Sequence, residues 1–98
     1  MPYLEIKKSN IANKKWTAVF YDHNKNKEKT LHFGDNRYQD FTQHKDEFRK
    51  MRYLNRHRNE DWNNPKTAGS LSRWILWEYE SFDKAVNNFM RKFGFKKL

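Results

Sequence analysis

The spacing of apolar side chains changes once along this chain, at Gly34, and does not change back. Before Gly34, residues 16–21 and 29–33 alternate with the two-residue period of half-buried strands, and residues 3–6 form another β-prone run. After Gly34, apolar residues recur every three or four positions, which is the period of helices. The sequence therefore predicts an α+β fold: a small antiparallel β-sheet (hairpin plus N-terminal strand) followed by three α-helices packed on one face.

The first predicted helix has an apolar face and a cationic face. Asp40 and Gln43 have the spacing of a capping box, so the helix should begin within two residues of Asp40 and end near Asn59. Its apolar positions are Phe41, His44, Phe48, Met51 and Leu54. Its cations recur at i, i+4, i+7 and i+11, at Lys45, Arg49, Arg52 and Arg56. These cations fall within roughly 60° of the helix surface and repel one another, so the pattern predicts an anionic partner.

Two further helices follow a polar loop. The second covers residues 71–77, and Thr67 or Ser70 can cap it. It is apolar on nearly every face, so we expect it to be the most buried element. The third begins after Ser81, a good N-cap, and ends at Gly94, and its helical periodicity is the clearest in the chain.

The excess of cations predicts a polyanionic partner. The 98 residues include 21 Lys+Arg and 12 Asp+Glu, for a formal net charge of +9, so most cations have no carboxylate to pair with. Such a chain attracts DNA, RNA or an anionic membrane face. Two alternatives stay open: the cations form a solvated face, or acidic residues fold back onto Arg52, Arg56 or Arg73 as internal ion pairs. The acidic residues in question are Glu60, Asp61, Glu78 and Glu80.

Composition and motifs argue against several other classes of function. The aromatic content of 17% is typical of a chain that buries a core, and the length allows one domain, residues 1–98. There is no cysteine, and the four histidines lack ligand spacing, so we expect no metal site and no cofactor. No nucleophile lies in a Gly-rich turn, so neither an enzyme nor a small-molecule ligand is favoured. No signal peptide or membrane span is predicted, which is typical of a protein made in the cytosol.

The candidate binding residues extend beyond the first helix. Trp62 lies in the polar loop and could either stack on an unpaired base or close the edge of the core, whereas Trp74 and Trp77 are predicted to pack in the core. Further cations lie on the last helix and in the tail. The complete set expected to bind nucleic acid or another partner is Lys45, Arg49, Arg52, Arg56, Arg73, Arg91, Lys92, Lys96, Lys97 and Trp62.

Five segments of the chain form a recognisable pattern: residues 16–21, 32–34, 44–57, 60–62 and 65–77. This pattern resembles a family of small basic proteins of unknown function that nucleocytoplasmic large DNA viruses encode. The resemblance covers about residues 15–94, leaving residues 1–14 as a variable N-terminal strand or arm and 95–98 as a basic tail. It implies a giant-virus source, a non-enzymatic role, and a location in the host cytoplasm (viral factory) or in the virion. It supplies no binding residues.

Two functional hypotheses follow from the sequence. In the first, the protein binds nucleic acid through phosphate-backbone contacts, without sequence readout. In the second, it is a minor capsid or internal virion structural protein whose basic surface binds acidic surfaces of other viral proteins. The two hypotheses differ in salt dependence and in the need for a hydrophobic centre in the interface.

Overall fold

A computed structural model describes residues 1–98 as a four-stranded sheet followed by helices. The strands are β1 (Tyr3–Lys8), β2 (Lys14–Tyr21), β3 (Lys27–Asp35) and β4 (Lys96–Lys97), in the spatial order β3-β2-β1-β4. β2 pairs antiparallel with both β1 and β3, whereas β4 runs parallel to β1. The predicted α+β fold is confirmed, and the sheet is mostly antiparallel.

The strand β4 occupies the segment that the sequence predicted as a basic tail. Its neighbour Phe95 is buried and packs edge-on against Phe20 at a ring-centroid distance of 5.4 Å. This anchor brings the following residues to the edge of β1, where the Lys96 amide donates to the Pro2 carbonyl at 2.9 Å. Two adjacent lysines show no apolar alternation, so the strand has no signal of its own in the sequence.

The core lies between one face of the sheet and the C-terminal helices. Because side chains alternate across a strand, Ala18 and Phe20 of β2 face the same side as Leu4 of β1 and Phe33 of β3. All four are buried, and they belong to one cluster with residues of the helical segments. The helical members of that cluster are Leu71, Ile75, Leu76, Ala85, Phe89 and Met90.

The predicted helix from Asp40 to Asn59 is two helices, α1 (Phe41–His44) and α2 (Glu47–Arg56). The capping box of Asp40 is present at the start of α1, as predicted. Lys45 then adopts a left-handed conformation with φ of 57°, and Asp46 caps a new helix by accepting from the amides of residues 48 and 49. A second strong N-cap inside the periodic run therefore ends one helix and starts another.

The C-terminal helical segments follow the predicted capping signals. α3 (Ala68–Leu71) begins after Thr67, whose hydroxyl accepts from the amide of residue 70, and it continues into a π-helical turn, Ser72–Leu76. α4 (Phe82–Phe93) begins after Ser81 and ends at Gly94, which has a φ of 76°. None of the helices combines the length and the apolar character needed to cross a membrane.

The face that α2 buries differs from the predicted one. Tyr53 is buried and stacks on Trp77, with ring centroids 4.3 Å apart and planes at 4°. Phe48 and Met51, which the sequence pattern assigns to the apolar face, are 75% and 64% exposed. Tyr53 lies against the Trp77 ring, and the Lys50 ammonium of the same helix donates to the Glu78 carbonyl at 2.9 Å. Two of the predicted apolar positions, Phe48 and Met51, are therefore exposed instead of packed.

Candidate anion-binding surface on helix α2

Three of the four predicted cations form one row on α2, which we call the arginine row: Arg49, Arg52 and Arg56. Their spacing of i, i+3 and i+7 places them within about 60° of the helix surface. Arg52 and Arg56 are exposed, and Arg49 is half-buried. None of the three guanidinium groups forms an ion pair with a carboxylate. Internal pairing, one of the two alternatives, is therefore wrong for Arg52 and Arg56.

Lys45, the fourth predicted member, does not belong to the row. It lies between α1 and α2 in the left-handed conformation, so the helical spacing that placed it beside Arg49 does not apply. Its side chain is exposed. The break moves this cation from the helix face to the loop that joins the two helices.

Arg73 is engaged inside the fold rather than on the surface. Its guanidinium donates to the Glu78 carboxylate at 2.6 Å, and its side chain is only 11% exposed. The same guanidinium lies 4.2 Å from the centroid of the Trp74 ring and 5.0 Å from that of Trp62. The internal pairing alternative is confirmed for this residue, so Arg73 is not part of the candidate surface.

Trp62 closes the edge of the core. Its backbone carbonyl accepts hydrogen bonds from the Ser70 hydroxyl and the Trp74 indole, both at 2.8 Å. Its own indole nitrogen is buried and has no partner in the protein. Of the two interpretations that the sequence left open for Trp62, this geometry fits closure of the core edge. Trp74 and Trp77 are half-buried and pack against the core cluster.

The C-terminal cations form a separate group. Arg91 and Lys92 lie on α4, and Lys96 and Lys97 form β4 at the edge beside β1. All four are exposed, and none forms an ion pair. The Lys92 ammonium lies 4.6 Å from the centroid of the Trp74 ring. These four cations lie on α4 and β4 rather than on α2, so they are not part of the arginine row.

A cleft of about 430 Å³ adjoins the arginine row, and sequence reasoning missed it. It lies between the end of β3 with its following loop, the C-terminal end of α2, and α3 with the π-helical turn. Tyr38, Tyr53 and Trp77 line it together with Arg56, the last arginine of the row. These residues come from three separate segments, so no local spacing could have indicated the cleft.

Three carboxylates of the cleft have partners within the protein: two contact cations, and the third contacts a histidine ring. The Asp35 carboxylate accepts from the Arg37 guanidinium at 2.8 Å, and these hydrogen bonds lower the pKa of Asp35 to about 2. Asp40 accepts from the Lys15 ammonium at 2.6 Å. The third carboxylate, Glu60, contacts the His57 ring. Arg56 also lines the cleft, and its guanidinium has no carboxylate partner.

His44 is a neutral histidine at the break between α1 and α2. Its Nδ1 accepts from the Asp46 amide at 2.9 Å, so the proton lies on Nε2, which is buried without a partner. Burial disfavours the imidazolium and, with the nearby Arg49, lowers the pKa of His44 below its usual value. The ring therefore helps to fix the start of α2 only while Nδ1 is unprotonated.

A protein family whose description gives no function matches residues 4–57 of the chain. The match covers 54 of 98 residues (57 − 4 + 1), which is more than half of the chain. The chain belongs to this family, DUF5754. No curated protein is significantly similar to the chain. No solved structure matches it significantly either.

The extent of the DUF5754 match bears on the candidate surface. It contains β1 from residue 4 onwards together with β2, β3, α1 and α2, and therefore the whole arginine row. It begins at residue 4, earlier than the sequence resemblance, so residues 4–14 lie inside the family pattern. It ends at residue 57, before Trp62 and the C-terminal cations. Of the two cationic groups, the arginine row is the one that lies within the matched region.

Proposed function

We propose that this DUF5754 protein is a non-enzymatic nucleic-acid-binding protein that contacts the phosphate backbone without reading sequence. The observation that carries the proposal is the arginine row, in which three guanidinium groups on one helix face have no carboxylate partner. Guanidinium groups match phosphate oxygens in bidentate geometry. The giant-virus source and a place in the particle or viral factory belong to the proposal through the sequence resemblance alone.

The length of the row suits consecutive phosphates. Arg49 and Arg56 are seven positions apart, which is about 10 Å along a helix with a 1.5 Å rise per residue. Measured along the duplex axis, one strand advances about 3.4 Å per phosphate, so the row is about as long as three such steps. The rest of the chain adds an unspecific attraction, because its formal net charge is +9. Contacts of this kind position a protein on nucleic acid and carry no sequence information.

The test is the salt dependence of binding, measured by fluorescence anisotropy with a labelled duplex of arbitrary sequence. Each phosphate neutralised contributes about 0.9 to the slope of log affinity against log salt. The triple variant Arg49→Gln, Arg52→Gln and Arg56→Gln should therefore lower the magnitude of that slope by about 2.7 and weaken binding at low salt. An unchanged slope would show that the row does not contact phosphates.

A matched control removes three cations elsewhere. Lys7, Lys25 and Lys27 are exposed on the N-terminal strands and the β2–β3 turn, and none forms an ion pair. Their replacement by Gln lowers the net charge by the same amount as the arginine variant. We expect a smaller change in slope, because only general attraction is reduced. Equal effects of the two triple variants would contradict a specific role for α2.

A second candidate function is binding to an acidic surface of another viral protein. It is favoured by Phe48 and Met51, which are 75% and 64% exposed on α2 beside the row. Protein interfaces are enriched in aromatic residues, Met and Arg, and they have a hydrophobic centre. The variant Phe48→Ser with Met51→Ser keeps every charge, so phosphate binding should stay within about twofold of wild type. If the wild type binds no nucleic acid at low salt, this second function replaces the first.

A further inference from the structure

We propose that the cleft beside Arg56 receives one unstacked base of a single strand whose phosphates lie on the arginine row. This inference rests on the proposed function and names its substrate class, single-stranded nucleic acid in preference to duplex. Phosphate binding on the arginine row does not fill the cleft, whereas binding of a base would. A strand that follows the row towards its C-terminal end reaches the mouth of the cleft at Arg56.

Arg56 belongs to both the arginine row and the cleft. It is the last arginine of the row, and it lines the cleft. It is exposed and forms no ion pair, so it can hold a phosphate at the rim. The base attached to the neighbouring sugar then has a cavity of about 430 Å³ within reach. The backbone contact and the base site are therefore adjacent.

Aromatic side chains line the cleft, as a base-stacking site requires. Tyr38 is 68% exposed and lines the cleft, where its ring is available to a ligand. Trp77 also lines the cleft, and its stacking on Tyr53 holds both rings in place. Bases of single strands stack on such side chains, and each stacked base contributes binding energy that depends little on its identity. The Arg37 guanidinium lies 6.0 Å from the centroid of the Tyr38 ring, so a cation is already beside the ring that would stack on a base.

Polar residues also line the cleft. Tyr53 and Ser72, which carry hydroxyl groups, both line the cleft. These hydroxyls can donate to and accept from the edge of a base that is exposed in a single strand. The carboxylates of the cleft do not oppose the strand strongly, because Asp35, Asp40 and Glu60 each have a cationic or histidine partner. A duplex keeps its bases stacked and paired, so it cannot fill the cleft in this way.

The test compares a labelled single strand with the duplex of the same sequence, using wild type and the variant Tyr38→Ala. Wild type should bind the single strand more tightly. Tyr38→Ala should weaken single-strand binding by about fivefold or more, because stacking on one aromatic ring contributes about 1–3 kcal/mol per base. It should leave duplex binding within about twofold. Tyr38→Phe keeps the ring and should restore single-strand affinity.

Two further variants make the outcomes separable. Ile11→Ala removes an exposed apolar side chain that does not line the cleft, so single-strand binding should not change. Arg52→Gln removes a member of the row that does not line the cleft, so binding of both polymers should weaken. Thermal unfolding of each variant checks that the fold is retained. A central 2-aminopurine in the single strand should lose fluorescence on binding to wild type, and lose less on binding to Tyr38→Ala.

The results separate this inference from the proposed function. If neither polymer binds at low salt, both fail. If wild type binds single strand and duplex equally, or if Tyr38→Ala weakens both to the same extent, the base site is overturned while phosphate binding stands. A single-strand preference that Tyr38→Ala removes and Tyr38→Phe retains supports the inference. Comparison of DNA and RNA strands of one sequence then identifies the preferred sugar.

Discussion

Replacing Glu78 by Gln removes the charge on which the interior ion pairs converge. The Glu78 carboxylate accepts from Arg73 at 2.6 Å, and the Lys50 ammonium lies 3.9 Å away. The side chains of Arg73, Lys50 and Glu78 are 11%, 17% and 26% exposed. The variant Glu78→Gln leaves both cations partly buried without their carboxylate. It therefore tests whether Arg73 is a structural residue, as its contacts indicate.

The magnitude follows from the degree of burial. Removing one partner of a fully buried pair costs about 3–5 kcal/mol, whereas an exposed pair contributes about 1 kcal/mol or less. Because these side chains keep some contact with water and Gln retains a hydrogen-bond acceptor, we expect a loss of about 2 kcal/mol in the free energy of unfolding. For a domain of this size, that corresponds to a melting temperature about 8–16 °C lower.

Urea unfolding followed by tryptophan fluorescence measures this loss. The control Arg37→Gln breaks the exposed pair with Asp35, in which the arginine is 64% exposed, and should cost less than about 1 kcal/mol. The double variant Arg73→Met with Glu78→Gln should lose less free energy of unfolding than the single variants Arg73→Met and Glu78→Gln lose in total. The reason is that the double variant leaves one fewer buried charge unpaired. A cost below about 0.5 kcal/mol for Glu78→Gln would refute the reasoning. So would a loss of nucleic-acid binding in Arg73→Met without a loss of stability.

Two other predictions concern pH and backbone conformation. Burial lowers the pKa of His44, so between that lowered pKa and the usual value of about 6.5 the unfolded chain binds more protons than the native one. The free energy of unfolding should therefore fall as the pH decreases below about 6.5. The variant His44→Asn keeps an acceptor for the Asp46 amide and should reduce that fall. A wild-type free energy of unfolding that does not change with pH in this range would contradict the prediction. Gly34 has a φ of 81°, and an added Cβ would lie 2.9 Å from Leu76 Cδ1, whereas Gly94 has a φ of 76° and open space around it. Gly34→Ala should therefore cost about 2–4 kcal/mol and Gly94→Ala about 1–2 kcal/mol in urea unfolding, and equal costs would be evidence against the close contact.

Local signals in the sequence predicted much of the fold. The alternation in β2 and β3 and the caps at Asp40, Ser81 and Gly94 all depend on a few neighbouring residues, and the structure contains each of them. Such features are determined by backbone hydrogen bonding over one or two turns. They can therefore be read without knowledge of the tertiary structure.

Features that depend on distant residues could not be predicted in the same way. The periodic pattern of α2 favoured burial of Phe48 and Met51, but Tyr53 is buried instead because Trp77, 24 positions further on, presents its ring there (77 − 53). The spacing of the arginine row is visible in the sequence, but its lack of carboxylate partners is not. It depends on the tertiary structure, which places the Glu78 carboxylate beside Arg73 instead. The cleft joins segments far apart in sequence and had no local signal.

α2 begins after a two-residue break at Lys45 and Asp46. The direction in which the arginine row points therefore depends on the number of residues between this break and Arg49. Each residue added to a helix turns the following side chains by about 100°. One extra residue in α2 ahead of Arg49 would therefore turn the arginines away from their present side, or else rotate Tyr53 off Trp77. Insertions and deletions should be tolerated poorly here, even though the segment is exposed at Lys45. In members of DUF5754 that keep the same surface, the number of residues from Asp46 to Tyr53 should vary less than their identity.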